Sequence, residues 1–195
     1  MENYEYYFII VFLMGIILMV FIPYSTVGRA IGTAEGTLNV TIETTTSLNF
    51  TVNLVNFGSG SVALGHSNAT LDTLGNVIDG NWTPVTDGFT LENIGNTNLS
   101  VYIKSDSDAD IFLGGTNPAY YYMMSNLELN SCSNESLPFS SWTSVNTTGY
   151  GDKVCNEFQP VLTNNSLRLD LKLVIPSDAL LGERTDTFTA TGISS

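Results

Sequence analysis

Apolar and polar residues alternate in short runs along most of the chain. Leu38, Val40 and Ile42 occupy every second position with Asn39, Thr41 and Glu43 between them, and Leu48, Phe50, Val52 and Leu54 repeat the pattern around Asn49, Thr51 and Asn53. A period of two sends successive side chains to opposite faces, so each run predicts a half-buried strand. Gly58-Ser59-Gly60, Gly75-Asn76, Asp79-Gly80 and Asp87-Gly88 interrupt the alternation with turn residues. The stretch from Gly88 to Lys104 reads as strand, Gly95-Asn96 turn, strand, which is a hairpin or a close corner. A further strand is predicted over Tyr120 to Leu129. The clearest run places Leu167, Leu169, Leu171, Leu173 and Ile175 around Arg168, Asp170, Lys172 and Val174, stops at Pro176, and is followed by a last strand at Thr185 to Thr191. Short strands between Gly, Asn and Asp turns, with no amphipathic helix among them, predict an all-β fold, an antiparallel β-sandwich.

The N-terminus follows another rule. From Tyr6 to Ile22 no residue is charged, and the uncharged stretch continues to Gly28. A helix of about 17 to 22 residues rises about 26 to 33 Å, the thickness of a bilayer's hydrocarbon core, so residues 6–28 are expected to meet a lipid membrane as a transmembrane or signal helix. Gly32-Thr33-Ala34 ahead of Glu35 offers the small residues of a cleavage site, and anchor and cleaved signal both stay open. Glu2 and Glu5 precede the run and Arg29 follows it, so flanking charge alone would leave the C-terminal part inside. The cysteines and sequons described next argue for a domain outside, at the cell membrane or cell surface. The chain thus divides into a hydrophobic segment over 1–35 and an extracytoplasmic domain over 36–195, with an insert expected at about 113–157.

Composition narrows the partners. The net charge of -13 arises from only 6 Lys and Arg against 19 Asp and Glu, a surface that repels nucleic acid. Cys132 and Cys155 are the only cysteines, and an even pair outside the membrane is expected as a disulfide, with buried free thiols as the alternative. Asn-x-Ser/Thr sequons begin at Asn39, Asn49, Asn68, Asn81, Asn98, Asn134, Asn146 and Asn164, twice the about four that this composition gives by chance. Asn39 and Asn49 fall on the polar phase of their runs, where a glycan would spare the core. Asp106, Asp108 and Asp110 are spaced like the opening of a calcium loop, but Ile111 and Asn117 stand where such a loop needs glycine and glutamate, so Ca2+ and a solvated acidic turn are both open. No other cofactor is indicated. His66, the sole histidine, has no nucleophile or carboxylate pattern beside it. Glu92 and Asp170 form no recognisable pair, and no enzyme is expected. Tyr120, Tyr121, Tyr122, Trp82 and Trp142 are either core and strand packing or a sugar-binding platform.

Two stretches carry a resemblance. Phe89-Thr-Leu-Glu-Asn-Ile-Gly-Asn-Thr-Asn-Leu-Ser-Val-Tyr-Ile103 looks like the strand, N-x-G-N, strand signature of immunoglobulin-like modules on prokaryotic cell surfaces. Leu171 to Ala190, in which a strand ends in proline and a glycine-bearing loop leads into a Thr-rich strand, looks like their closing pair. A hydrophobic segment followed at once by such a sandwich is similar to the TasA/camelysin group and to archaeal bundling pilins. The resemblance implies an immunoglobulin-like or jelly-roll sandwich that contributes to a surface layer or filament. In that reading the strand-patterned stretch from Gly36 to Glu43 adds to a neighbour's sheet edge, giving a homo-oligomer. The alternative is an adhesin or carbohydrate-binding module using the insert.

Overall fold

The computed structural model describes Tyr7, Ile9–Val11 and residues 37–194. The chain forms two compact units, Met1–Thr41 and Ile42–Ser195. In the first, Tyr7 and Ile9–Val11 are helical and exposed, and residues 37–41 have no regular structure. The apolar run expected to cross a membrane and the cleavage site after Ala34 lie almost wholly outside the described residues. Among the described residues no helix is long and apolar enough to cross a membrane.

Among the described residues the second unit holds ten strands and one helical turn, α1 (Ala109–Phe112). The spine is the 11-residue strand β9 (Ser166–Pro176), where the leucine alternation is longest. Along one edge it pairs with β6 (Ala119–Asn126). Its other edge is shared by β4 (Phe89–Asn93), opposite Ser166–Leu169, and β2 (Asn68–Asp72), opposite Lys172–Pro176. The sheet is extended by β1 (Leu48–Val52) on β4, β3 (Val77–Ile78) on β2 and β7 (Thr143–Ser144) on β6. A second sheet has the order β10 (Phe188–Ser194), β5 (Leu99–Ser105), β8 (Asp152–Phe158). Every pairing is antiparallel.

One continuous core lies between the sheets. Leu167, Leu169, Leu171 and Leu173 of β9 share it with Leu99, Val101 and Ile103 of β5 and with Val154 and Phe158 of β8, all buried. Each such side chain withdrawn from water contributes about 1.5–3 kcal/mol. Cys132 and Cys155 are disulfide-bonded, Cα to Cα 5.9 Å, and both are buried. In the chain-entropy account a closed loop of 23 residues stabilises the fold by about 3 kcal/mol.

One expectation changes. Leu38 to Ile42 forms no strand: its apolar side chains are 91, 78 and 83% exposed, because alternation alone does not hold a strand without a partner edge. Of the two readings open for Gly88 to Lys104, the structure has the corner, since β4 lies in the large sheet and β5 in the small one. The stretch 113–157 supplies β6, which lies along the spine, and most of β8, which completes the small sheet.

Candidate functional site: an open seam between two sheet edges

Strand β1 pairs only with β4, and β10 only with β5, so among the described residues each leaves one edge unpaired. The two free edges border a groove with lobes of about 240 and 310 Å3. Its apolar lining comes from Leu48, Phe50, Leu91, Leu99, Phe188 and Ala190. The strand period produces this lining, because Leu48 and Phe50 turn inward while Asn49 and Thr51 face solvent. Phe50, Phe89 and Phe188 form a chain of tilted rings, centroids 5.7 and 5.8 Å apart, that props the seam at one end. At the other end Gly192 lets β10 approach β1: a Cβ there would lie 3.0 Å from Leu48 Cδ1 and Leu99 Cδ1. No lining residue is ionisable. The groove therefore offers unpaired backbone donors and acceptors over an apolar floor, which suits an extended peptide and provides no acid or base.

The corner beside the seam explains the N-x-G-N motif. Asn93 is fully buried, and its Nδ2 donates to the carbonyls of Thr97 at 2.9 Å and Phe158 at 3.0 Å while its Oδ1 accepts from Gly95 N–H at 3.1 Å. Asn96 instead faces the incoming chain. Its Oδ1 accepts from Thr45 N–H at 2.7 Å and its Nδ2 donates to Glu43 O at 2.9 Å. No family model matches the chain, and no curated protein matches it.

The other predicted residues are scattered. Asp106 lies 3.6 Å from Lys104 Nζ, Asp108 caps α1 by accepting from Ile111 N–H at 2.8 Å, and Asp110 is exposed on that turn. Among the described residues no three His, Cys, Asp or Glu side chains are grouped to hold a metal ion, so the alternate aspartates do not converge. A helical turn after Asp108 sends them apart. Asn39, Asn49, Asn68, Asn81 and Asn134 are exposed, whereas Asn98, Asn146 and Asn164 are half-buried. The Nδ2 atoms of Asn146 and Asn164 donate to Asp152 Oδ1 at 2.9 Å and Leu129 O at 2.6 Å.

His66 lies in a loop, but with Asp79 Oδ1 3.1 Å from its Nδ1, a carboxylate that the sequence did not place beside it. Glu92 accepts from Thr51 Oγ1, while Asp170 is buried elsewhere with Arg168 and Thr73. The aromatic set divides. Tyr120 and Tyr122 point into the core, and burial raises both hydroxyls well above their ordinary range, with the Asp186 carboxylate adding for Tyr120 and Asp152 for Tyr122. The Trp82 indole lies against Gly60 and Gly80. Only Tyr121 and Trp142 meet on one face, with Lys172 Nζ 4.6 and 4.7 Å above their rings.

Proposed function

We propose that the protein is a non-catalytic structural component of a cell surface, an immunoglobulin-like sandwich held or delivered by its apolar N-terminal segment, whose copies join by strand addition at the β1/β10 seam. One juxtaposition carries this reading: the seam lacks a strand, and Leu38 to Ile42 is a strand-patterned stretch that lacks a sheet. Burying Leu38, Val40 and Ile42 contributes about 1.5–3 kcal/mol each, and each backbone hydrogen bond to a free edge about 0.5–1.5 kcal/mol. Several of these together offset the about 4–15 kcal/mol cost of association. The resemblance to prokaryotic surface modules agrees with this use, and exposed sequons are compatible with a glycosylated exterior. Deleting Thr37 to Ile42 from the full chain should abolish assemblies seen by electron microscopy and leave a folded single copy; filaments that persist would refute strand addition. A second reading rests on Tyr121, Trp142 and Lys172, whose rings and cation suit a sugar-binding face; failure to bind any glycan on an array would remove it.

A further inference from the structure

Strand addition poses a problem that this fold must solve. Leu38–Ile42 lies close in sequence to β1, and residues 43–47 would serve as the loop of a hairpin laying that stretch on the free edge of its own β1. Closing so short a loop is far easier than capturing another molecule, since the tethered segment is present at an effective concentration on the order of mM. A self-paired segment would fill its own seam and end assembly.

We propose that Asn96 is the clamp that prevents this self-capping, an inference that rests on the strand-addition reading. The potential loop is already occupied. Ser47 O accepts from Ile94 N–H at 3.0 Å and Thr45 O from Asn96 N–H at 3.0 Å, so the β1–β4 register, with Leu48 opposite Asn93, continues unbroken past the corner. The Asn96 carboxamide then takes two further groups, Thr45 N–H and Glu43 O. Gly95 makes the approach possible, since a Cβ at that position would collide with Thr45 O. With residues 43–47 held in line, no turn forms between Ile42 and Leu48. The upstream stretch is committed to another copy. Asn96 is thus a positioning residue that chooses between an intramolecular and an intermolecular strand.

The test is hydrogen exchange on the full chain, diluted to single copies. In the wild type the amides of 38–42 should exchange at the rate of unstructured chain. Asn96→Ala removes both side-chain bonds, and the same amides should then slow at least tenfold while assembly falls. Adding Val40→Asp, which spoils the apolar face, should restore fast exchange. Asn96→Asp, which keeps the acceptor for Thr45 N–H but loses the donor to Glu43 O, provides a milder variant should Asn96→Ala unfold, and should slow the amides by a smaller factor. Exchange at 38–42 that is slow already in the wild type, or as fast in both Asn96 variants as in the wild type, would overturn the clamp. Because exchange is read on single copies, a wild type that never assembles would sink strand addition while leaving this arm decisive.

Discussion

Asp170 is the residue whose loss should be felt most on the outer face of the large sheet. Its side chain is only 2% exposed. Both carboxylate oxygens accept from Arg168 Nε, at 2.9 and 3.0 Å, Oδ1 lies 2.8 Å from Arg168 Nη2, and Thr73 Oγ1 donates to Oδ1 at 2.6 Å. Arg168 Nη2 in turn holds the carbonyls of Thr73 at 3.1 Å and Thr86 at 2.7 Å, which pins the loop after β2 and the segment leading into β4 over the sheet. The hydrogen bond to Asp170 is the main reason the guanidinium holds its proton more tightly than usual. Asp170→Asn keeps the volume but removes the charge and turns an N–H group toward the guanidinium. Breaking a buried pair costs about 3–5 kcal/mol. Because the Arg168 side chain is 28% exposed and regains some hydration, about 3 kcal/mol is expected here. For a domain of this size that lowers Tm by about 6–12 °C. Thermal unfolding by circular dichroism measures it, with Arg168→Met/Asp170→Leu as the control that should recover much of the loss by removing both charges together. A loss below about 1 kcal/mol in Asp170→Asn would show that the pair is solvated like an ordinary surface bridge.

Alkali should destabilise the domain by a route traceable to two side chains. Tyr120 and Tyr122 keep their protons in the folded state to higher pH than in the unfolded chain, so their contribution is complete below about pH 10 and is lost as the pH rises beyond it. Urea midpoints at pH 8 and 11 should therefore fall, and Tyr122→Phe should flatten the decline; an unchanged slope would contradict it. Glycan mapping by mass spectrometry on protein from its native surface should find sugar at Asn49, Asn68, Asn81 and Asn134 before Asn146 and Asn164, whose Nδ2 atoms are already bonded.

The sequence revealed the strands where packing and pattern agree. The leucines of β9 alternate because one face is core, and the prediction there met the structure almost residue for residue. It misled where pattern and pairing separate: Leu38–Ile42 alternates as well as β1 does, yet only β1 has β4 beside it. The corner at Asn93 to Asn96 was legible as a break but not as a change of sheet, because that depends on contacts with Phe158 and with Asn165, more than 60 residues away in sequence. Asp170 lies on the polar phase of its strand, yet the loop that follows the neighbouring strand β2 covers it. The seam was invisible for the same reason, being made by two strands at opposite ends of the domain. The cysteine pairing was readable from number, since two cysteines allow one bridge.

The place of β9 has a consequence for the order in which the protein can be made. Its partners β2, β4 and β6 all precede it in the chain, and the Thr73–Asp170 contact spans 97 residues. A chain emerging from the ribosome at about 5–20 residues per second exposes those strands for several seconds before their shared partner exists. Until β9 arrives the large sheet lacks its middle, so edges that are closed in the finished molecule stand open. Such non-local pairing folds slowly, and the upstream segments must be shielded from one another while they wait.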